Sequence, residues 1–102
     1  EELWLLMLNT KNHIIGSQQI SVGTINASLV SPREVFHAAI QSMAASVIVV
    51  HNHPSGDASP SSEDRAVTER MVRCGKVMDI PVLDHIVIGD GNYVSLCERG
   101  LL

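Results

Sequence analysis

Residues 46–64 read SVIVVHNHPSGDASPSSED, and the fold turns on how this stretch is divided. Ser46 to Val50 is a short apolar run rich in β-branched residues, bounded by polar sequence. That pattern predicts a strand buried on both faces. It runs directly into His51-Asn52-His53. Pro54 to Pro60 holds Gly56 and two prolines and predicts a loop. A helix is expected to start near Ser61 or Ser62.

Working outward, Leu3 to Leu8 is apolar and strand-length, and it ends in the turn cluster Asn9-Thr10-Lys11-Asn12. His13 to Val22 predicts a second strand, antiparallel to the first. Ser31-Pro32-Arg33-Glu34 has the form of a helix start, with Ser31 able to cap, Pro32 in the first turn and Glu34 completing a capping box. Val35, Phe36, Ala39, Ile40 and Met43 then recur at helical spacing. In the second helix, Val67, Met71, Cys74 and Met78 form the apolar stripe, and Gly75 is either a liability inside the helix or an early stop. Val82 to Ile88 predicts a strand, Gly89-Asp90-Gly91-Asn92 a turn, and Tyr93 to Leu96 a return strand. The order β-β-α-β-α-β-β implies an α/β (α+β) fold, a mixed β-sheet flanked by helices.

The chain has 102 residues, enough for one domain, expected to span 1–102. It opens on a strand-like run without Met, as expected of a fragment of a longer chain. Hydrophobic residues make up 45% and aromatics 3%, so the core must be aliphatic. The net charge is −4 with no cluster of Lys or Arg, which predicts at most weak DNA binding unless other domains supply it. Cys74 and Cys97 form no CxxC pair and are expected to be reduced thiols. No signal peptide or apolar run of membrane-spanning length is present, so a cytoplasmic protein without membrane contact is expected. Oligomeric state is not legible.

His51 and His53 stand at i and i+2. If the extended conformation persists, both imidazoles leave one face of the strand and can converge on an ion. Asp64 lies at the start of the next helix. Two imidazoles and a carboxylate suit Zn²⁺, and three protein ligands leave one position open, as catalysis requires. Ser61 and Asp64 also fit a capping box, S-x-x-D. Asp64 cannot easily give the same oxygen to the cap and to a metal.

The segment from His51 to Asp64 matches H-x-H-x₇-S-x-x-D, which resembles the JAMM motif of MPN-type metalloproteases. HNHPSGD at 51–57, PREVF at 32–36 and LDHIVIGDG at 83–91 resemble the RadC-like branch of that superfamily. The resemblance spans essentially the whole chain and implies an MPN/JAMM-like (cytidine-deaminase-like) architecture. It implies His51, His53 and Asp64 as Zn²⁺ ligands and Ser61 as a hydrogen-bond donor to the oxyanion or bound water. It also implies a Glu general base upstream. Glu1 fits that position best. Glu2 is the alternative on the opposite face, and Glu34 is already explained by its capping box. The implied activity is zinc-dependent hydrolysis of a peptide or isopeptide bond in a peptide or protein substrate. The alternative is a non-catalytic metal-binding module associated with DNA repair.

Two other readings fail on spacing. HNH nucleases spread their three residues through a ββα unit, whereas here they are consecutive. A deaminase-type zinc site would need P-C-x-x-C, which is absent. Asp84-His85 resembles a pair in which a carboxylate orients a ligating imidazole. As neighbours on a strand they face opposite ways, so a structural role is expected for both.

Overall fold

The computed structural model describes residues 1–102. The elements are β1 (Glu2–Leu8), β2 (Ile14–Val22), α1 (Pro32–Gln41), β3 (Ser46–Asn52), α2 (Ser62–Met78), β4 (Val82–Ile88) and β5 (Tyr93–Ser95), in the expected order. The strands form one sheet in the order β2-β1-β3-β4-β5. β1 is antiparallel to β2 and β3, while β3 and β4 are parallel. A parallel pair needs a long crossover, and α2 with the loop before it supplies one.

Alternation along the strands gives the sheet its two faces. Leu3, Leu5 and Met7 of β1 and Val47 and Val49 of β3 join Val35, Phe36, Ala38 and Ala39 of α1 and Val67 and Met71 of α2 in one buried cluster. Both helices therefore cover the same face. This corrects the expectation that β3 is buried on both sides. Val47, Val49 and His51 are buried, while Ile48, Val50 and Asn52 are only half-buried.

Three local expectations also change. Ile40 and Met43 are exposed: Ile40, inside α1, lines the surface groove between α1 and α2, and Met43 lies beyond the helix end at Gln41 with φ 55°, off the helical stripe. Ser31 makes no side-chain cap hydrogen bond, so its capping box does not form. Met78 is also exposed, at the last position of α2. The helix does not stop at Gly75. A Cβ there would lie 2.6 Å from the Ile80 carbonyl oxygen, so glycine is what lets the chain fold back into β4 at close range. No helix is long and apolar enough to cross a membrane. Cys74 and Cys97 are free thiols, as expected.

Candidate metal centre

The extended conformation persists through Asn52, and His53 N–H still donates to the Ile88 carbonyl at 2.8 Å. The two imidazoles consequently stay together, with ring centroids 4.9 Å apart. The loop that follows is pinned rather than free. Gly56 N–H donates to the His53 carbonyl at 3.0 Å, and Asp90 N–H donates to the Gly56 carbonyl at 2.9 Å. Gly89 permits this docking, since a Cβ there would fall 2.3 Å from the Gly56 oxygen. The loop so held brings the Asp57 carbonyl to 2.8 Å from His53 Nδ1.

Asp64 arrives from the other side, at the start of α2. Ser61 Oγ accepts from Asp64 N–H at 3.1 Å, and Asp64 Oδ2 accepts from Ser61 N–H at 2.8 Å. The capping box therefore forms as the sequence suggests. The expected conflict between cap and ligand is resolved by dividing the carboxylate. Oδ2 serves the cap and lies 2.9 Å from His53 Nε2, while Oδ1 lies 2.9 Å from His51 Nε2 and has no part in the cap.

His51, His53 and Asp64 can each offer one ligand atom within 4.8 Å of the others, and the cluster could hold a metal ion. The donor set fits one. A backbone carbonyl only accepts, so His53 Nδ1 must donate to Asp57. When neutral, the ring turns a bare Nε2 toward Asp64 Oδ2, a contact that a proton on Nε2 would make a hydrogen bond. His51 Nε2 is buried and, though close to Asp64 Oδ1, makes no hydrogen bond of acceptable geometry. Burial raises the Asp64 carboxyl pKa. Attraction to His51 in the form that carries an Nε2 proton, and hydrogen bonding with Ser61, outweigh that and hold the group well below the ordinary carboxylate range. The anion needed for ligation is the form favoured here. A groove of about 520 Å³ lies elsewhere, between α1 and α2, and contains none of these residues.

The other expected site residues fall out differently. Ser61 adjoins the cluster through the cap, and its hydroxyl proton is still available because Oγ is used only as an acceptor from Asp64. Leu3 pairs with His51 across β1 and β3, so alternation carried one residue past the start of β1 puts Glu1 on the histidine face. Its carbonyl accepts from Gly23 N–H at 2.7 Å, and the next amide, Glu2 N–H, donates to Asn52 Oδ1 at 2.7 Å. The Glu1 backbone is thus tied beside the end of β3, with its side chain exposed. Glu2 points to the opposite face, where Trp4 Nε1 and Gln19 Nε2 donate to its carboxylate at 3.2 and 2.5 Å. Glu34 lines a surface groove with Gln18, Gln19, Arg33 and His37, and contributes nothing to the cluster.

Two residues beside the site were not assigned to it from the sequence. His85 Nε2 is 2.7 Å from His51 Nδ1, and Thr68 Oγ1 contacts His85 Nδ1. The signal was present in Asp84-His85, but the opposed faces argued against it. Asp84 is indeed structural, accepting from the Ser95 hydroxyl and from Cys97 N–H. Only His85 reaches the site. Burial, reinforced by the nearby His51, pushes its pKa from 6.5 down to about 3.

Two expected results follow from this geometry. Asp64→Asn should cost no more than a lost cap, ~1 kcal/mol, while weakening metal binding by ~100-fold or more, beyond what substitutions outside the ligand set typically cost. Denaturant unfolding and a metal-binding titration separate the two. Normal binding by a merely destabilised variant would leave Asp64 a capping residue alone. The second result concerns pH. Unfolded, His85 takes up its proton near 6.5; folded, it does so only near 3. The unfolded state binds more protons across that window, so the metal-free protein should lose stability as pH falls from about 6.5 toward 3. The contribution is at most ~1.4 kcal/mol per pH unit. His85→Gln should show a shallower slope in urea unfolding between pH 7 and 5, and equal slopes would contradict the assignment.

An H-x-H at the end of a sheet strand, facing a helix-start aspartate under a serine cap, defines the class: a JAMM/MPN superfamily domain. A family model described as a RadC-like JAB domain matches residues 1–101. The chain belongs to that RadC-like family. It is 57% identical over 102 residues to a UPF0758 protein of Methanococcoides burtonii and 55% identical over 102 residues to one of Methanosarcina mazei, covering all of this chain and 44% of each relative. A UPF0758 protein of Shouchella clausii is 55% identical over 100 residues, covering 98% of this chain and 44% of that protein. The chain thus spans less than half the length of these relatives.

Proposed function

We propose that this domain is a zinc-dependent metallohydrolase that cleaves a peptide or isopeptide bond. The observation that carries the reading is the convergence of two imidazole nitrogens and a carboxylate at one strand end, with ligand atoms within 4.8 Å of one another. Two nitrogens and one oxygen, without cysteine, are the ligand types of catalytic zinc sites that keep a position open. Bound zinc supplies Lewis acidity and lowers the pKa of a water to about 7.

The chain's own residues would supply the rest. His51 and His53 hold their places through contacts at Nδ1 and are not free to shuttle protons from Nε2. The Glu1 carboxylate, on the histidine face, takes the proton from the attacking water and returns it to the leaving amine. The Ser61 hydroxyl donates to the carbonyl oxygen as negative charge develops there, while its lone pair keeps the α2 cap. The partner under this reading is a peptide or protein. A chain of net charge −4 without a run of Lys or Arg offers duplex DNA little phosphate neutralisation.

The test is turnover of a fluorogenic peptide and isopeptide panel by the purified protein, before and after chelation. Hydrolysis should vanish with chelator and return with zinc. A zinc-loaded, folded protein that cleaves nothing in the panel, or cleavage indifferent to chelator, would overturn the proposal.

A further inference from the structure

A ligating imidazole must present a lone pair. A neutral histidine has two tautomers, and the one adopted is set by what its other nitrogen contacts. At His53 the Asp57 carbonyl makes that choice. At His51 the contact is another histidine, whose Nε2 can donate or accept, so the pair alone decides nothing. The direction must come from further along the chain of contacts.

That chain is His51 Nδ1 to His85 Nε2, His85 Nδ1 to Thr68 Oγ1, and Thr68 Oγ1 to the Asp64 carbonyl oxygen at 2.8 Å. Its last member can only accept. Thr68 has one hydroxyl proton, and a contact of 2.8 Å between two oxygens requires a hydrogen between them. The Thr68 proton therefore goes to Asp64, a back-bond to residue i−4 of its own helix. Thr68 Oγ1 must then accept from His85 Nδ1–H. His85, neutral, is left with a bare Nε2, which accepts from His51 Nδ1–H. His51 Nε2 is thereby stripped of its proton.

The reversed polarity would run from Thr68 through both rings and end in a proton on His51 Nε2. Two observations oppose it. It leaves the Thr68 and Asp64 oxygens 2.8 Å apart with no hydrogen between them. It also places a buried N–H on His51 Nε2 that misses hydrogen-bond geometry with Asp64 Oδ1 2.9 Å away, whereas a bare Nε2 beside that oxygen makes the pair of acceptors that a cation would bridge. A buried donor without an acceptor is costly.

We propose that Thr68 and His85 are positioning residues that lock His51 in its Nδ1–H tautomer and so keep the Nε2 lone pair available to a metal ion. The relay begins at the backbone of Asp64, one of the three residues of the cluster. The α2 turn that delivers the carboxylate therefore also prepares the imidazole facing it. His51 and His85 are both 1% exposed and Thr68 is 3% exposed, so water does not compete for these contacts. The inference deepens the metal-site reading above and rests on it for its consequence, though not for the tautomer itself.

The test pairs variants that keep or remove one hydrogen-bonding function. Thr68→Ser keeps the hydroxyl, whereas Thr68→Val keeps the shape and loses it. His85→Gln keeps an amide oxygen that can accept from His51, whereas His85→Phe keeps a ring and accepts nothing. Two readouts are needed. The first is the imidazole ¹⁵N spectrum of the metal-free protein near neutral pH, which distinguishes the tautomers directly. The second is zinc affinity by competition with a chromophoric chelator. His51 and His85 should both be Nδ1–H in the parent and in Thr68→Ser. Thr68→Val should lose the uniform His85 tautomer and weaken zinc binding by ~10–100-fold, as substitutions behind a ligand typically do, with Thr68→Ser near the parent. His85→Phe should fall similarly, with partial rescue in His85→Gln. Nε2–H on His51 in the parent would overturn the proposal, as would parent-like zinc affinity in folded Thr68→Val. If His85→Phe fails to fold, the Thr68 pair and the parent spectrum still decide. A parent that shows the Nδ1–H tautomers but binds no zinc would refute the zinc reading while upholding the relay.

Discussion

His51→Ala should abolish zinc binding, taking occupancy from about one ion per chain to none. His51 offers one of three donors and is the most deeply buried of the two imidazoles, with a side chain that is 0% exposed against 14% for His53. Two remaining donors cannot build a four-coordinate site that retains a single open position. The substitution also strands His85 Nε2, now without its partner at 2.7 Å, so some loss of stability, roughly 1–3 kcal/mol, is expected. His53→Ala is the cleaner companion, because His53 is partly exposed and its Nδ1 partner is a loop carbonyl. Elemental analysis after zinc reconstitution and exhaustive dialysis reads the result, with circular dichroism to confirm folding. A folded parent that never retains metal, or a His51→Ala protein that keeps a full equivalent, would remove the site from consideration.

Glu1→Gln should retain zinc and lose most turnover, by ~10²–10⁴-fold, the range that general acid–base help contributes. The physical reason is a division of labour. A metal can make a nucleophile available at neutral pH, but the leaving amine must still be protonated, and imidazoles committed at both nitrogens cannot do that. A free carboxylate on the same face can. Alternation from the Leu3–His51 pair places Glu1 on that face. Glu2 is turned away and its carboxylate is engaged by Trp4 and Gln19. Ser61→Ala should also retain zinc and lose ~10²–10³-fold, the usual effect of one oxyanion donor, along with ~1 kcal/mol of helix-cap stability. Turnover on a cleaved panel peptide, with metal content measured in parallel, reads these effects. If Glu1→Gln is fully active while Glu2→Gln or Glu34→Gln is dead, the base is misassigned. If all three are active, the shared mechanism is wrong for this protein.

The structure changes how the candidate bases are ranked. The sequence argument set Glu34 aside because a capping box explained it, yet Ser31 makes no side-chain cap bond. Glu34 is set aside instead by position, on α1 beside β2, where its groove neighbours are Gln18, Gln19, Arg33 and His37. The outcome for Glu34 is the same, but only the second reason rests on a contact that exists. Asp64 shows the opposite case. Its cap forms and still leaves one oxygen free for a ligand role, since a carboxylate has two oxygens and the helix cap needs one.

What was legible in the sequence is what local geometry governs. The i, i+2 spacing of His51 and His53 turns both rings to one face because strand side chains alternate. The S-x-x-D at Ser61 to Asp64 caps a helix because its two hydrogen bonds close within one turn. Val82 to Ile88 was bounded correctly, as Pro81 and Gly89 punctuate it. The apolar stripe of α1 was overrun at Met43 because periodicity does not say where a helix stops, and Ile40, inside α1, faces a surface groove instead of the core.

By itself, then, the sequence determined the element order, the His51-His53-Asp64 cluster and the α2 cap, all of which arise from local pattern and short loops. Only the tertiary structure decided which sheet face the helices cover, how Asp64 divides its oxygens, and that His85 rather than Asp84 stands behind the site. That last choice depends on the parallel register of β3 and β4, which pairs Val49 with His85 and sets His85 diagonally beside His51 on the covered face. A register shifted by one residue would have turned Asp84 inward instead. Register is settled by packing against α2 across a crossover of many residues, and no local pattern in either strand carries it.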